Sequence, residues 1–229
     1  MIIGGIQPCS LIEYPGKTCA VLFTRGCNFR CAYCHNPELV LPEQYANPQS
    51  LTDIYSFLER RKGKLDAVCI TGGEPTQHTD LIALLRTIRD MGFLIKLDSN
   101  GSRPDMLQEI IDRALVDYLA MDVKAPLDAY ERIVGWRVPP AVLQRSIDLI
   151  IHSGCDHEFR TTIAAPYTTI DDLRAIARTI TGAQRYYLQP FRVSKHLNPQ
   201  LHHNAIPDQD GLQRLAIELL TSVQQCEVR

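Results

Sequence analysis

Three cysteines fall within eight residues in Gly26-Cys27-Asn28-Phe29-Arg30-Cys31-Ala32-Tyr33-Cys34-His35-Asn36-Pro37, a C-x3-C-x2-C array in a polar, loop-like stretch. The other five, Cys9, Cys19, Cys69, Cys155 and Cys226, stand singly. Thiolates are soft metal ligands, and three in one loop can converge on one centre. Buried reduced thiols need no such spacing. Structural zinc prefers four closed ligands, and His35 follows Cys34 directly instead of standing at a finger spacing. An iron–sulfur cubane ordinarily takes four cysteines, so three leave one iron open to a ligand that is not protein.

Further polar residues gather where apolar runs end. Thr71-Gly72-Gly73-Glu74-Pro75 is one such place, and Leu97-Asp98-Ser99-Asn100-Gly101 is another. Ala120-Met121-Asp122-Val123-Lys124 and Leu188-Gln189-Pro190-Phe191-Arg192 follow the same pattern, and Arg160 stands in Glu158-Phe159-Arg160-Thr161-Thr162. Taken singly, glycine and proline mark turns, Asp, Ser and Asn cap helices, and Lys or Arg is solvated surface. Taken together, carboxylates, a lysine and a fork-shaped guanidinium suit a ligand bearing an ammonium, a carboxylate and ribose hydroxyls. The chain has no P-loop, no G-x-G-x-x-G and no Ser-His-Asp set.

These residues must be positioned by alternating strands and helices. Short β-branched or aromatic runs predict strands over 18–24, 65–71, 93–98, 118–122, 158–164 and 185–189. Helical periodicity predicts helices over 51–61 with Ser50 as N-cap, 80–91 stopped by Gly92, 104–113, 141–153 stopped by Gly154, 171–180, and roughly 209–223. Such βα units require right-handed crossovers and a parallel sheet, either open and doubly wound or a barrel short of eight units. In both, ligands sit at the carboxyl ends of the strands.

With 229 residues of even composition, one domain over 1–229 is expected, its core about 18–190 and its C-terminal segment 191–229 packing on it. Hydrophobic residues at 45% and charged residues at 22% fit a globular chain. Lys and Arg (24) nearly balance Asp and Glu (26), and a net charge of -2 disfavours nucleic acid or anionic membrane as partner. No basic leader opens the chain and no run approaches the ~18 apolar residues of a spanning helix, so a cytoplasmic protein is expected. His196, His202 and His203 lie among Asn and Pro and read as solvated, with no role.

The cysteine array, with aromatic Tyr33 before its third cysteine, resembles the cluster loop of the radical S-adenosylmethionine superfamily. The resemblance implies that Cys27, Cys31 and Cys34 hold one [4Fe-4S] cluster whose open iron chelates the amino and carboxylate groups of S-adenosylmethionine. It places Tyr33 near the adenine, and Gly72, Gly73 and Glu74 in the family's GGE segment, where missing side chains let backbone carbonyls reach the ligand's ammonium. Asp98-Ser99-Asn100-Gly101 and Asp122-Val123-Lys124 resemble the D-[ST]-N-G and D-x-K motifs of the glycyl-radical-enzyme activases. Arg160 falls where those activases contact the methionine carboxylate, and Gln189 completes the cofactor set. The five single cysteines lack CxxC spacing, so no second cluster is expected.

From Ser10-Leu11-Ile12-Glu13-Tyr14-Pro15-Gly16-Lys17 through Cys34-His35-Asn36-Pro37 to Met121-Asp122-Val123-Lys124-Ala125-Pro126, the chain is most similar to the anaerobic ribonucleoside-triphosphate reductase activating proteins. It departs from the pyruvate formate-lyase activases, which carry Pro-Tyr-His where Arg192 stands. The resemblance implies an α/β fold, a partial (β/α)6 TIM-like barrel whose open edge admits a peptide loop. It implies reductive cleavage of S-adenosylmethionine to a 5'-deoxyadenosyl radical that takes a hydrogen from a glycine Cα of the partner reductase. A reduced flavodoxin or ferredoxin would supply the electron. Related lyase activases hold a monovalent cation near the positions of Asp98, Ser99 and Asp122. Alternatives are action on a small molecule such as a modified nucleobase precursor, activation of another glycyl radical enzyme, and a non-catalytic zinc-binding module.

Overall fold

The structure, a computed structural model, describes residues 1–164, 167–192 and 209–229; His196, His202 and His203 lie outside the described residues. The chain divides into two compact units. The first comprises Met1–Asn28, Asn36–Ser99 and Asp105–Leu119, the second Phe29–His35, Asn100–Pro104 and Ala120–Arg229.

In the first unit, β1 (Ile3–Ser10) runs antiparallel to β2 (Cys19–Thr24), and β3 (Ala67–Gly72) and β4 (Leu94–Ser99) follow in parallel. The parallel strands read as unbroken apolar runs because both faces are buried, as in Cys19, Ala20, Val21 and Leu22. Helices α1 (Pro37–Val40), α2 (Leu51–Glu59), α3 (Leu81–Asp90) and, from its second residue on, α4 (Pro104–Asp112) belong here. α3 buries Leu81, Leu84, Leu85 and Ile88, the spacing of one helical face. Ser50 caps α2 by accepting from Asp53 N, as its position predicts. Tyr14, Cys19, Val21, Ala67, Cys69 and Tyr118 form a core cluster.

β5 (Tyr118–Asp122) begins in the first unit and ends in the second. The second unit continues with α5 (Tyr130–Val134), α6 (Pro140–Ile151), β6 (Asp156–Ile163), α7 (Ile170–Thr179), β7 (Arg185–Pro190), α8 (Gln209–Leu219) and β8 (Gln225–Val228). β6, β7 and β8 are parallel neighbours. α7 opens on a capping box in which Thr169 and Asp172 bond each other's backbone N–H, so it starts one residue earlier than its apolar periodicity indicates.

All six predicted strands are present, within about two residues of their expected ends. β1 and β8 were not expected, nor were the short α1 and α5. β1 contains Gly4, Gly5 and Pro8, which read as turn signals, and its ladder slips register twice. β8 has only four residues, too few for a period-2 pattern. The carboxyl ends carry the expected polar residues: Gly72 closes β3, Asp98 and Ser99 close β4, Asp122 closes β5, and Gln189 lies one residue before the end of β7. Arg160 lies midway along β6.

Candidate active site

The first unit holds the start of the cysteine loop. Gly26 adopts φ +92°, its N–H donates to Leu39 O at 2.7 Å, and its carbonyl accepts from Glu74 N at 2.7 Å. Gly73 N donates to Thr24 O at 2.8 Å. A Cβ on Gly73 would stand 2.0 Å from Gly26 O, and one on Gly72 (φ +112°) would stand 2.5 Å from Thr24 N. Gly73 is therefore required by the close approach of Gly26, the residue preceding Cys27, and Gly72 by that of Thr24 at the end of β2, reasons additional to ligand access. His78 Nε2 lies 2.9 Å from Arg25 O, securing the same turn.

Glu74 is buried, and one of its oxygens accepts from Thr76 N–H, the Thr76 hydroxyl and Ser99 Oγ, the last at 2.9 Å. It thus ties the turn after β3 to the end of β4. Asp98 is bound by Lys96, whose Nζ stands 2.5 Å from Oδ1, and by Thr71 Oγ1 at 3.1 Å from Oδ2. The Lys96 and Asp98 side chains are 1% and 8% exposed, and the ammonium lies 5.7 Å from the Tyr118 ring centroid. Burial, reinforced by the Asp98 charge, pushes the neighbouring Cys69 thiol well up, so Cys69 stays protonated.

In the second unit Cys31 and Tyr33 are buried and feel the charge of Lys124. Burial pushes the Cys31 thiol up to about 11, against the opposing pull of the Lys124 ammonium. Tyr33 is buried; burial raises its phenol well above the usual range, and its hydroxyl oxygen has no hydrogen-bond partner among the described residues. Cys34 N donates to Cys31 O at 3.0 Å, closing the turn. His35 stacks on Phe191, with centroids 5.1 Å apart and planes 14° apart, and its Nε2 lies 3.1 Å from Arg192 O. The ring beside Cys34 is thereby joined to the chain just past β7.

Asp122, Lys124 and Arg160 form one charged group. Arg160 Nε donates to Asp122 Oδ1 at 2.8 Å, Lys124 Nζ lies 3.3 Å from Oδ2, and an Arg160 terminal nitrogen is 3.6 Å from buried Glu158. Burial pushes the Asp122 carboxyl up, but Arg160 and then Lys124 outweigh it and hold the group below the carboxylate range. Burial likewise lowers Lys124, yet Asp122 wins and holds the ammonium charged well above its ordinary range. Tyr130 fixes the backbone here: its hydroxyl donates to Asp122 O and accepts from Lys124 N, each at 3.1 Å. Neither Lys124 nor Arg160 is solvated surface.

Asn100 Oδ1 accepts from Ser102 N at 2.9 Å, so its side chain forms a local Asx turn. Gln189 is half-buried at the end of β7 and makes no side-chain hydrogen bond among the described residues. Lys96, Tyr130 and Glu158 were not singled out from sequence, and His35 was weighed only as a zinc ligand. Lys96 alone left a sign, as a lysine in an apolar strand two residues from an aspartate, which places both on one face.

Among the described residues no disulfide joins any of the eight cysteines, and no three His, Cys, Asp or Glu side chains are gathered closely enough to take one metal ion. A cubane makes a different demand, since each thiolate bonds a separate iron. Three thiols in one loop, a buried hydroxyl without a partner among the described residues and two part-buried cations fit a cluster together with an anionic, polar ligand.

A family model described as the radical SAM superfamily matches residues 21–180. The chain is 31% identical over 219 residues to a Methanocaldococcus jannaschii protein provisionally named a glycyl-radical enzyme activating enzyme, covering 93% of this chain and 90% of that one. A second protein of that organism, with the same provisional name, is 27% identical, covering 97% and 85%. Among solved structures, Streptococcus suis SuiB bound to S-adenosylmethionine has a TM-score of 0.68 at 14% identity, covering 91% of this chain and 51% of SuiB. That likeness shows the fold, the α/β partial barrel that the family resemblance implies.

Proposed function

The chain belongs to the radical SAM superfamily, and from that premise we propose that it activates a glycyl radical enzyme, anaerobic ribonucleoside-triphosphate reductase, with a reduced flavodoxin or ferredoxin as electron donor. The observation that carries the activase part of this reading is the 31% identity, over nearly the whole of both chains, to a relative named as a glycyl-radical enzyme activating enzyme; the choice of reductase rests on the sequence motifs alone. Membership implies one [4Fe-4S] cluster and S-adenosylmethionine. When bound, these supply one-electron reductive cleavage to a 5'-deoxyadenosyl radical able to take a hydrogen from a glycine Cα.

The chain's own residues bind and orient. Cys27, Cys31 and Cys34 are the cluster thiolates. Burial that raises the Cys31 thiol also gives a dry, low-dielectric setting in which fixed charges act strongly. Lys124 and Arg160, held in place by Asp122, are the cations for the ligand's carboxylate. The hydroxyl of Tyr33, without a partner among the described residues, offers a hydrogen bond to a bound ligand. Gly72 and Gly73 offer backbone groups, while Glu74 and Ser99 hold each other in register beside them. Asp98, Asn100 and Gln189 complete the binding set, Asp98 with its charge fixed by Lys96. The cytoplasm, where thiols stay reduced, is the proposed setting.

Anaerobic reconstitution tests this. About four irons per chain, a broad visible band, 5'-deoxyadenosine formed with dithionite, and a glycyl radical on the reductase by EPR are expected. Acceleration by a heterocycle, but not by the reductase, would move the substrate to a small molecule. A colourless zinc protein without cleavage would overturn the chemistry.

A further inference from the structure

The only tryptophan of the chain is on the surface. Trp136 follows α5, which is capped by Gly135 in the left-handed region (φ 61°), and the ring's residue is 54% exposed between exposed Arg132 and Arg137. An exposed tryptophan in a segment that also carries two exposed arginines has the composition of an interaction hot spot, where Trp and Arg are enriched.

The turn that carries it is held to the cysteine loop. Arg30 N donates to Val134 O at 2.7 Å, the Phe29 ring meets Tyr130 edge-on at 6.1 Å, and a Cβ on Gly135 would stand 3.3 Å from Arg30 Cβ. From the other side, Tyr130 bonds the backbone of Asp122 and Lys124. The five residues of α5 are thus fixed to the segment leading into Cys31 and to the end of β5, while the tryptophan beyond them stays in solvent. Exposed Arg30, Arg132 and Arg137 outnumber exposed Asp128 and Glu131, so this segment with Arg30 carries a net positive charge.

We propose that Trp136, with Arg132 and Arg137, is the docking point for the protein substrate and takes an acidic segment of the glycyl radical enzyme. The proposal rests on the activase reading above and deepens it. Charge opposes charge at the rim and sets encounter, while the ring supplies desolvated contact. A partner held there is anchored to the same backbone that carries Arg30 and Cys31.

The test uses the reconstituted full chain and the anaerobic ribonucleoside-triphosphate reductase of the same organism. Trp136→Ala and the double variant Arg132→Glu/Arg137→Glu are compared with wild type in two assays: 5'-deoxyadenosine formation without reductase, and the reductase concentration giving half-maximal glycyl radical by EPR. The first is expected to stay unchanged and the second to rise at least about tenfold. Fluorescence of the single tryptophan is expected to shift to the blue on titration with reductase, less so at high salt. An unchanged half-maximal concentration in both variants overturns the proposal. Parallel loss of reductase-independent cleavage also overturns it, because the turn would then be a support of the cysteine loop. A wild type that cleaves S-adenosylmethionine but leaves no radical on the reductase removes the activase reading itself, and docking with it.

Discussion

Arg160 and Asp122 meet across 2.8 Å, Nε to Oδ1, and Lys124 stands 3.3 Å from the other carboxylate oxygen. One carboxylate therefore holds two cations, Lys124 just past the end of β5 and Arg160 midway along β6, and each is oriented before any ligand arrives. Preorganisation of this kind lowers the cost of binding an anion.

Asp122→Asn leaves both cations without their shared counter-charge. Asp122 keeps 35% of its side chain exposed, so the loss is set at about 1–3 kcal/mol, below that of a fully buried pair. The folded carboxyl lies below its unfolded value, so its stabilisation is fully present above about pH 4 and fades as pH falls further. Urea midpoints between pH 7 and 2 should fall less steeply for the variant than for wild type in the acid range.

Cys31→Ala removes a proposed cluster thiolate. Iron content and the visible band should drop together, and 5'-deoxyadenosine formation should vanish. Retained turnover with full iron would take Cys31 out of the ligand set.

Tyr33→Phe should move stability and affinity in opposite directions. Deleting a buried hydroxyl that lacks a partner among the described residues relieves a desolvation cost of about 1–3 kcal/mol and raises the melting temperature of the ligand-free protein. If the ligand is what this hydroxyl bonds, S-adenosylmethionine binding weakens about tenfold, read by equilibrium dialysis. Equal affinity in both proteins would return Tyr33 to a packing role.

Gly73→Ala places a methyl 2.0 Å from Gly26 O, where backbone must yield. Iron bound per chain should fall with stability. Gly63→Ala, with φ +70° but nothing within 4 Å, should cost about 1–2 kcal/mol and leave iron loading intact.

Lys96→Met strands Asp98 in a buried setting and should cost about 3–5 kcal/mol in denaturant melts. Adding Asp98→Asn to it should recover more than half of that loss, because the neutral amide no longer needs a cation while Thr71 still has a partner.

The cysteine loop, the strand ends and most helices were legible in sequence because their signals are local: fixed spacing, apolar runs, and caps such as Ser50. The relationships that organise the site were not. His35 lies 157 residues from Arg192, and no short window contains both. Tyr130 sits in a five-residue helix, too short for a periodic signal, yet it fixes the backbone of Asp122 and Lys124. Glu74 was legible as a polar residue after a strand, but its bond to Ser99 depends on which strands are neighbours. Gly73 was legible as a glycine, while its reason, the approach of Gly26 O, is tertiary.

β1 has a consequence for the chain's behaviour in concentrated solution. It is the outermost strand of the first unit, and an open strand edge ordinarily offers a row of amides on which another chain can polymerise. Here that row is broken by register slips between Ile3 and Gly5 and between Gln7 and Ser10, and Pro8 has no amide hydrogen to give. Ile3 is further occupied by Gln49, whose N–H reaches its carbonyl at 2.8 Å. The interruptions that hid this strand from a sequence reader also deny its edge to fibril growth.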